Sequence, residues 1–184
     1  YDFYQKVFNR GDVKDVTIVD IDEKSIAKVG QFPWRRDAYS KILKNLNQHN
    51  PKAIAFDIVF SEEDKQNPKD LLLQLQKESN QLIDVEVSDT NKIFVDSIKN
   101  SKIILPILGE PNDNFVKNES KPKARIIAKG ENPKNFIYKF KNKIISLEEI
   151  SNAASGIGSI SLIPNIDGVI RNVPVLYNID NRIW

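Results

Sequence analysis

The chain contains no cysteine, no methionine and a single histidine. Without cysteine it has no disulfide, no thiol chemistry and no Cys-based zinc site. His-rich metal clusters are excluded as well, and any His-based triad would have to use His49. That residue stands beside Asn50-Pro51 at a predicted helix C-terminus, where it favours the helix dipole, and no catalysis is assigned to it. No run approaches the ~20 apolar residues that cross a bilayer, and no signal peptide is visible. A chain that opens at Tyr1 without Met reads as a processed product or as a piece cut from something longer. Charge of one sign is lacking too: 27 Lys and Arg are interspersed with 25 Asp and Glu, so there is no basic stripe and no nucleic-acid partner is expected. There is no G-x-S-x-G and no phosphate-binding loop. Gly156-x-Gly158 lacks the third glycine and the strand-to-helix setting of a dinucleotide fold.

What is present is ordinary for a folded protein. Apolar residues make up 40% and charged residues 28%, a balance that argues against disorder. A length of 184 residues suits one domain, expected over residues 1–184. Tyr1, Phe3, Tyr4, Val7 and Phe8 have helical spacing, so residues 1–10 are either a membrane-proximal helix or a terminal helix packed on the core. Val16-Thr17-Ile18-Val19-Asp20-Ile21 predicts a strand. Tyr39, Ile42, Leu43 and Leu46 form the stripe of a core-facing helix, which Pro51 stops. Ala53-Ile54-Ala55-Phe56-Asp57-Ile58-Val59-Phe60 is a nearly unbroken apolar run, as in a strand of a buried parallel sheet. Strand, helix and strand in succession form a βαβ unit.

Further helices start at Asn67-Pro68 and near Thr90, and Lys102-Ile103-Ile104-Leu105-Pro106-Ile107 is a third strand. Residues 110–123 read as a polar loop, and residues 124–128 and 135–140 as weaker strands. Ser146-Leu147-Glu148-Glu149 has capping-box spacing. Residues 156–162 and 170–179 are expected to pair as a hairpin around Asp167-Gly168. The fold class that follows is α/β: a mixed sheet with a parallel βαβαβ core, helices on both faces and a C-terminal antiparallel hairpin.

Asp20, Asp22 and Asp57 fall at or near the C-terminal ends of the two strands expected to be parallel, the edge where open α/β sheets form crevices. Three readings stay open. The carboxylates could hold Mg2+ or Ca2+ through oxygen. They could pair with Arg35, Arg36 or Arg171. One could cap the following helical turn. The Asp–Arg network is preferred, so no cofactor is expected, with Mg2+ or Ca2+ as the alternative. Trp34 after Pro33 is either a ligand-stacking platform or, preferably, a packing anchor whose indole N–H bonds to backbone. Asp167-Gly168 and Arg171 read as turn chemistry with an ion-pairing arginine, and anion binding at Arg171 is the lesser reading.

Three segments together resemble a known family. They are residues 19–25 continuing through Gly30-Gln31-Phe32-Pro33-Trp34-Arg35-Arg36, residues 51–61, and Gly158-Ser159-Ile160 with Asp167-Gly168-Val169-Ile170-Arg171. Their order and spacing are similar to the second class of CHASE domain, the cyclase/histidine-kinase-associated sensory extracellular modules. Phe32 stands where a second Trp is common, Arg35 where Pro often sits, and residues 64–89 read as an inserted helical segment.

The resemblance implies a sensory domain outside the cytoplasmic membrane, periplasmic or at the cell surface. It would be flanked by transmembrane helices and joined to an adenylate or diguanylate cyclase, a histidine kinase or a protein kinase. On this expectation the domain itself is no enzyme. It receives an unknown small-molecule or protein signal and works as a homodimer in a membrane-anchored parent. The alternatives are a metal-assisted hydrolase using Asp20, Asp22 and Asp57, and a ligand-free dimerisation module.

Overall fold

The computed structural model describes residues 15–82, 84–112, 118–124 and 126–184. The helix expected at residues 1–10 lies outside them. The chain divides into two compact units, Tyr1–Trp34 and Arg35–Trp184.

In the first unit α1 (Glu23–Val29) begins where Asp22, in extended backbone, turns its carboxylate back on the helix. Oδ1 accepts from the Ser25 N–H at 2.9 Å and from the Ser25 hydroxyl at 2.7 Å, satisfying a donor the helix leaves open. Gly30 ends the helix at φ 110°, its N–H reaching Ile26 O at 2.8 Å. The strand expected just before α1 does not form: residues 16–21 join no ladder among the described residues, and Val16, Ile18 and Val19 are exposed. An apolar run specifies a strand only where a neighbouring edge takes up its N–H and C=O groups.

The second unit opens with α2 (Arg36–Asn47), whose buried face carries Tyr39, Ser40 and Leu43 with Ile42 and Leu46 half-buried, as the periodicity predicts. Next, β1 (Ile54–Ala55) pairs in parallel with β2 (Ile103–Glu110), Ile54 facing Ile103. Between them run α3 (Pro68–Ser79) and α4 (Thr90–Lys99). After Phe56 the expected long strand leaves the ladder, because its side chains serve another purpose. Tyr39, Phe56, Phe60 and Phe94 form an edge-to-face aromatic cluster with centroids 4.9 to 6.5 Å apart, where α2 packs on α4.

The rest of the chain extends β2. It pairs antiparallel with β4 (Asn142–Ile145) and in parallel with β5 (Gly156–Ser159), the strand that follows α5 (Glu148–Ala153). A second sheet sets β3 (Lys139–Phe140) parallel to β6 (Asn178–Ile179), and β6 antiparallel to β7 (Arg182–Ile183). Ile107 and Ile145 of the first sheet pack with Ile179 of the second and with Tyr177 and Trp184, which flank its strands, and Phe140 and Ile157 border them. The fold is thus mixed α/β with parallel and antiparallel pairs, as expected.

The C-terminal hairpin is present but displaced. Asp167-Gly168 does turn, with the Gly168 N–H on Asn165 O at 2.8 Å and Gly168 at φ 78°, yet residues 161–176 join no ladder among the described residues. The antiparallel ladder closes instead around Asp180-Asn181, both left-handed at φ 52° and 57°, the pairing a two-residue type I′ turn needs. Burial decides between the two turns. Tyr177, Ile179 and Trp184 flank the second and are buried, whereas Val169, Val173 and Val175 flank the first and are exposed.

Candidate functional site

Each residue singled out in the sequence has a definite place. Asp20 is exposed in the extended segment before α1, and Asp22 is the α1 cap, its pKa lowered by the Ser25 side chain and then by the Ser25 backbone N–H. Trp34 is buried and donates its indole N–H to Gly30 O at 2.7 Å, which closes the C-terminal end of α1. Arg35 forks onto Asp37 at 2.6 and 2.8 Å. Arg36 is buried, with Nη2 on Glu62 O at 2.7 Å and its guanidinium carbon 4.6 Å from the Phe60 ring centroid. Asp57 is exposed just beyond β1. Arg171 forks onto Asp167 at 2.9 and 2.8 Å, and this contact holds the Asp167 carboxyl down at about 2. Arginine–aspartate pairing therefore occurs, between Arg35 and Asp37 and between Arg171 and Asp167. Among the described residues no group of three or more His, Asp or Glu side chains is arranged to hold a metal ion.

A different place gathers the polar side chains. It starts from helix capping. Asn67 precedes Pro68 at the start of α3, and Asp89 caps α4 by accepting from the Lys92 N–H at 3.1 Å. Asn67 Oδ1 accepts from the Thr90 N–H at 3.0 Å and from its hydroxyl at 3.1 Å, while Nδ2 donates to Asp70 at 2.7 Å and to Asp89 at 3.3 Å. Asp64 accepts from the Arg36 N–H, the Thr90 hydroxyl and the Gln66 N–H at 2.9, 2.9 and 3.0 Å. Asp64, Asn67 and Thr90 are buried, and every one of these bonds is made within the second unit. The starts of two helices are thereby locked to each other and to α2 through one polar knot.

Beside this knot lies an open cleft of about 1130 Å³, walled by residues 63–67, α3, α4 and α5. Its lining holds six carboxylates (Glu63, Asp64, Asp70, Asp89, Asp96 and Glu149) against three lysines (Lys65, Lys92 and Lys99), so its field is negative in a chain of net charge only +2. The acids differ in how far they are compensated. Lys69 reaches Asp89 at 2.9 Å and holds its carboxyl below the ordinary range. Glu149, in the first turn of α5, is shifted upward, chiefly by burial and then by the like charges of Glu63, Asp89 and Asp70. Asn91 is 8% exposed; it donates to Glu63 Oε2 at 3.3 Å, and its Oδ1 has no hydrogen-bond partner among the described residues.

The arrangement can bind a polar or cationic molecule, and its walls offer amide and carboxylate groups. Sequence reasoning missed this cleft although it noticed its parts. Asn67, Thr90 and Glu149 carry helix-start signals, and each signal concerns its own helix alone. No local signal says that the three starts come together.

A family model for the CHASE2 domain matches residues 1–184, the whole chain. No curated protein matches, and no solved structure does.

Proposed function

The chain belongs to the CHASE2 domain family, a family of sensory extracellular domains, and from that premise we propose that it is the extracytoplasmic signal-sensing domain of a bacterial transmembrane receptor whose output is a cytoplasmic cyclase or kinase. Residues 1–184 act as one sensory domain, the parent chain is anchored in the cytoplasmic membrane, and the receptor works as a homodimer. No helix of the described residues is long and apolar enough to cross a membrane, so the anchor on this reading belongs to segments elsewhere in the parent. The observation that carries the proposal is the family match over the whole chain.

The cleft supports it as the place of reception. A ligand moves a receptor between states only by binding them unequally. Here α3 supplies one wall and buries none of its own side chains, so it is the wall with least packing to resist a shift. The Asp–Arg pairs serve structure in this reading. The rival hydrolase at Asp20, Asp22 and Asp57 would need a carboxylate, Asp22, that is already engaged as a helix cap. The ligand-free dimerisation module leaves the cleft without a purpose.

Alkaline phosphatase, active only outside the cytoplasm, inserted in the parent receptor within the polar sequence that follows β2 tests the placement. Enzymatic activity is expected there; an inactive fusion together with a fluorescent green-protein fusion at the same site would overturn it.

A further inference from the structure

The chemistry of the cleft narrows the ligand class, on the premise that the cleft is the reception site. We propose that it takes an organic amine with two or more ammonium groups, whose N–H donors bridge Asp70 of α3 to Glu149 of α5 and meet the carboxamide oxygen of Asn91.

Charge gives the sign of the ligand. Lys99 is paired with Asp96 at 3.6 Å, Lys65 with Glu62 at 3.4 Å, and Lys69 with Asp89 at 2.9 Å. Asp64 accepts from the Arg36 N–H and the Gln66 N–H and shares the Thr90 hydroxyl with Asn67. Glu63, Asp70 and Glu149 are left with no ion-pair partner among the described residues, and of the lining lysines Lys92 alone is uncommitted. An anion would meet repulsion there. Glu149 is shifted upward, chiefly by burial and then by the like charges of Glu63, Asp89 and Asp70.

Asn91 gives the kind of contact. More than nine-tenths buried on the cleft wall, it spends Nδ2 on Glu63 and keeps an unmet acceptor. A buried acceptor without a donor is a liability that an N–H group removes once the carboxamide turns toward it. A quaternary ammonium has no such hydrogen. A hard divalent cation wants six or more oxygens at one point, whereas these carboxylates are spread over three elements of a cleft of about 1130 Å³. Separated charges on a flexible chain match separated acids.

Isothermal titration of the chain with spermidine, putrescine, choline and Mg2+ is the test. Spermidine is expected to bind more tightly than putrescine, with choline and Mg2+ far weaker, and added salt should weaken the amines. The isosteric changes Asp70→Asn and Glu149→Gln should each lower spermidine affinity about tenfold with the circular dichroism unchanged. Asn91→Ala should narrow the preference for spermidine over choline, a ratio that a purely structural role would not move. Choline or Mg2+ binding as tightly as spermidine overturns the proposal, and so does the absence of any amine binding.

Ala153→Trp in the parent receptor, which places an indole in the cleft beside Glu149, separates the two levels. If no amine binds but this variant still locks the output, the amine proposal falls and the reception site stands. If it leaves the output responsive, the reception site falls and the proposal with it.

Discussion

At 1% exposure Asn67 uses both its amide donors and its oxygen, so it ties α3 to α4 more directly than any ion pair at the cleft. Asn67→Ala would leave the buried Thr90 N–H without its acceptor, at a cost of about 1–3 kcal/mol for each group left unsatisfied. Urea denaturation should show a lower midpoint at an unchanged slope, and a midpoint equal to that of the parent chain would contradict the role given to Asn67. Asp167 tests an exposed pair. Arg171 holds its carboxyl at about 2 against an ordinary 3.8, so the pair's contribution to stability is present above 3.8 and is lost as pH falls through about 2. Arg171→Ala should return the Asp167 titration, followed by carboxyl NMR, toward 3.8. At this scale the sequence was partly legible. That Trp34 bonds its indole to backbone and that Arg171 pairs near the Asp-Gly turn are nearest-neighbour chemistry, and these readings match the structure; that one aspartate caps a helical turn was one of three open readings, and Asp22 takes it. That Arg36 binds the segment at Glu62 and Asp64 depends on a chain reversal between α2 and that segment, which no local rule encodes.

Elements were legible where a stripe needed only one partner face. The face of α2 follows from periodicity, and β2 from its apolar run. Strand pairing was less legible, because an apolar run does not name its partner: residues 16–21 have the pattern and no ladder, while β6 and β7 form one from two residues each. Tight spacing between elements leaves no pattern either, and Gly109 shows its effect. A Cβ on Gly109 would lie 2.2 Å from the Phe140 ring, so the close approach of β2 to β3 requires a residue without one. Gly109→Ala should destabilise by about 1–3 kcal/mol through overpacking. The double variant with Phe140→Ala should regain part of that loss, and additive effects in thermal melts would deny the contact. With Leu71, Leu73 and Leu75 exposed and no side chain buried, the amides of α3 should exchange with deuterium faster than those of α4. Spermidine should slow α3 selectively, since Asp70 belongs to that helix.

Over the whole molecule the charges nearly cancel, at +2, so a cation gains little from long-range steering and must be held by the local surplus in the cleft. That surplus links ligand, proton and stability. The Glu149 carboxyl is raised above 4.5 in the folded chain, first by burial and then by Glu63, Asp89 and Asp70, so the folded state binds its proton more readily than the unfolded one. Its contribution to stability is therefore fully present below 4.5 and is lost as pH rises through the raised value. Glu149→Gln removes the charge that is crowded, and it should raise Tm at neutral pH while leaving Tm at pH near 4 almost unchanged. An ammonium group beside Glu149 offsets the same crowding and favours the ionised form. Spermidine should consequently stabilise the chain more at neutral pH than in acid, and in Glu149→Gln that difference should shrink. A variant both more stable and less able to bind the amine is what a site strained by its own charge produces. A variant that loses stability and binding together would show that Glu149 had been supporting the fold.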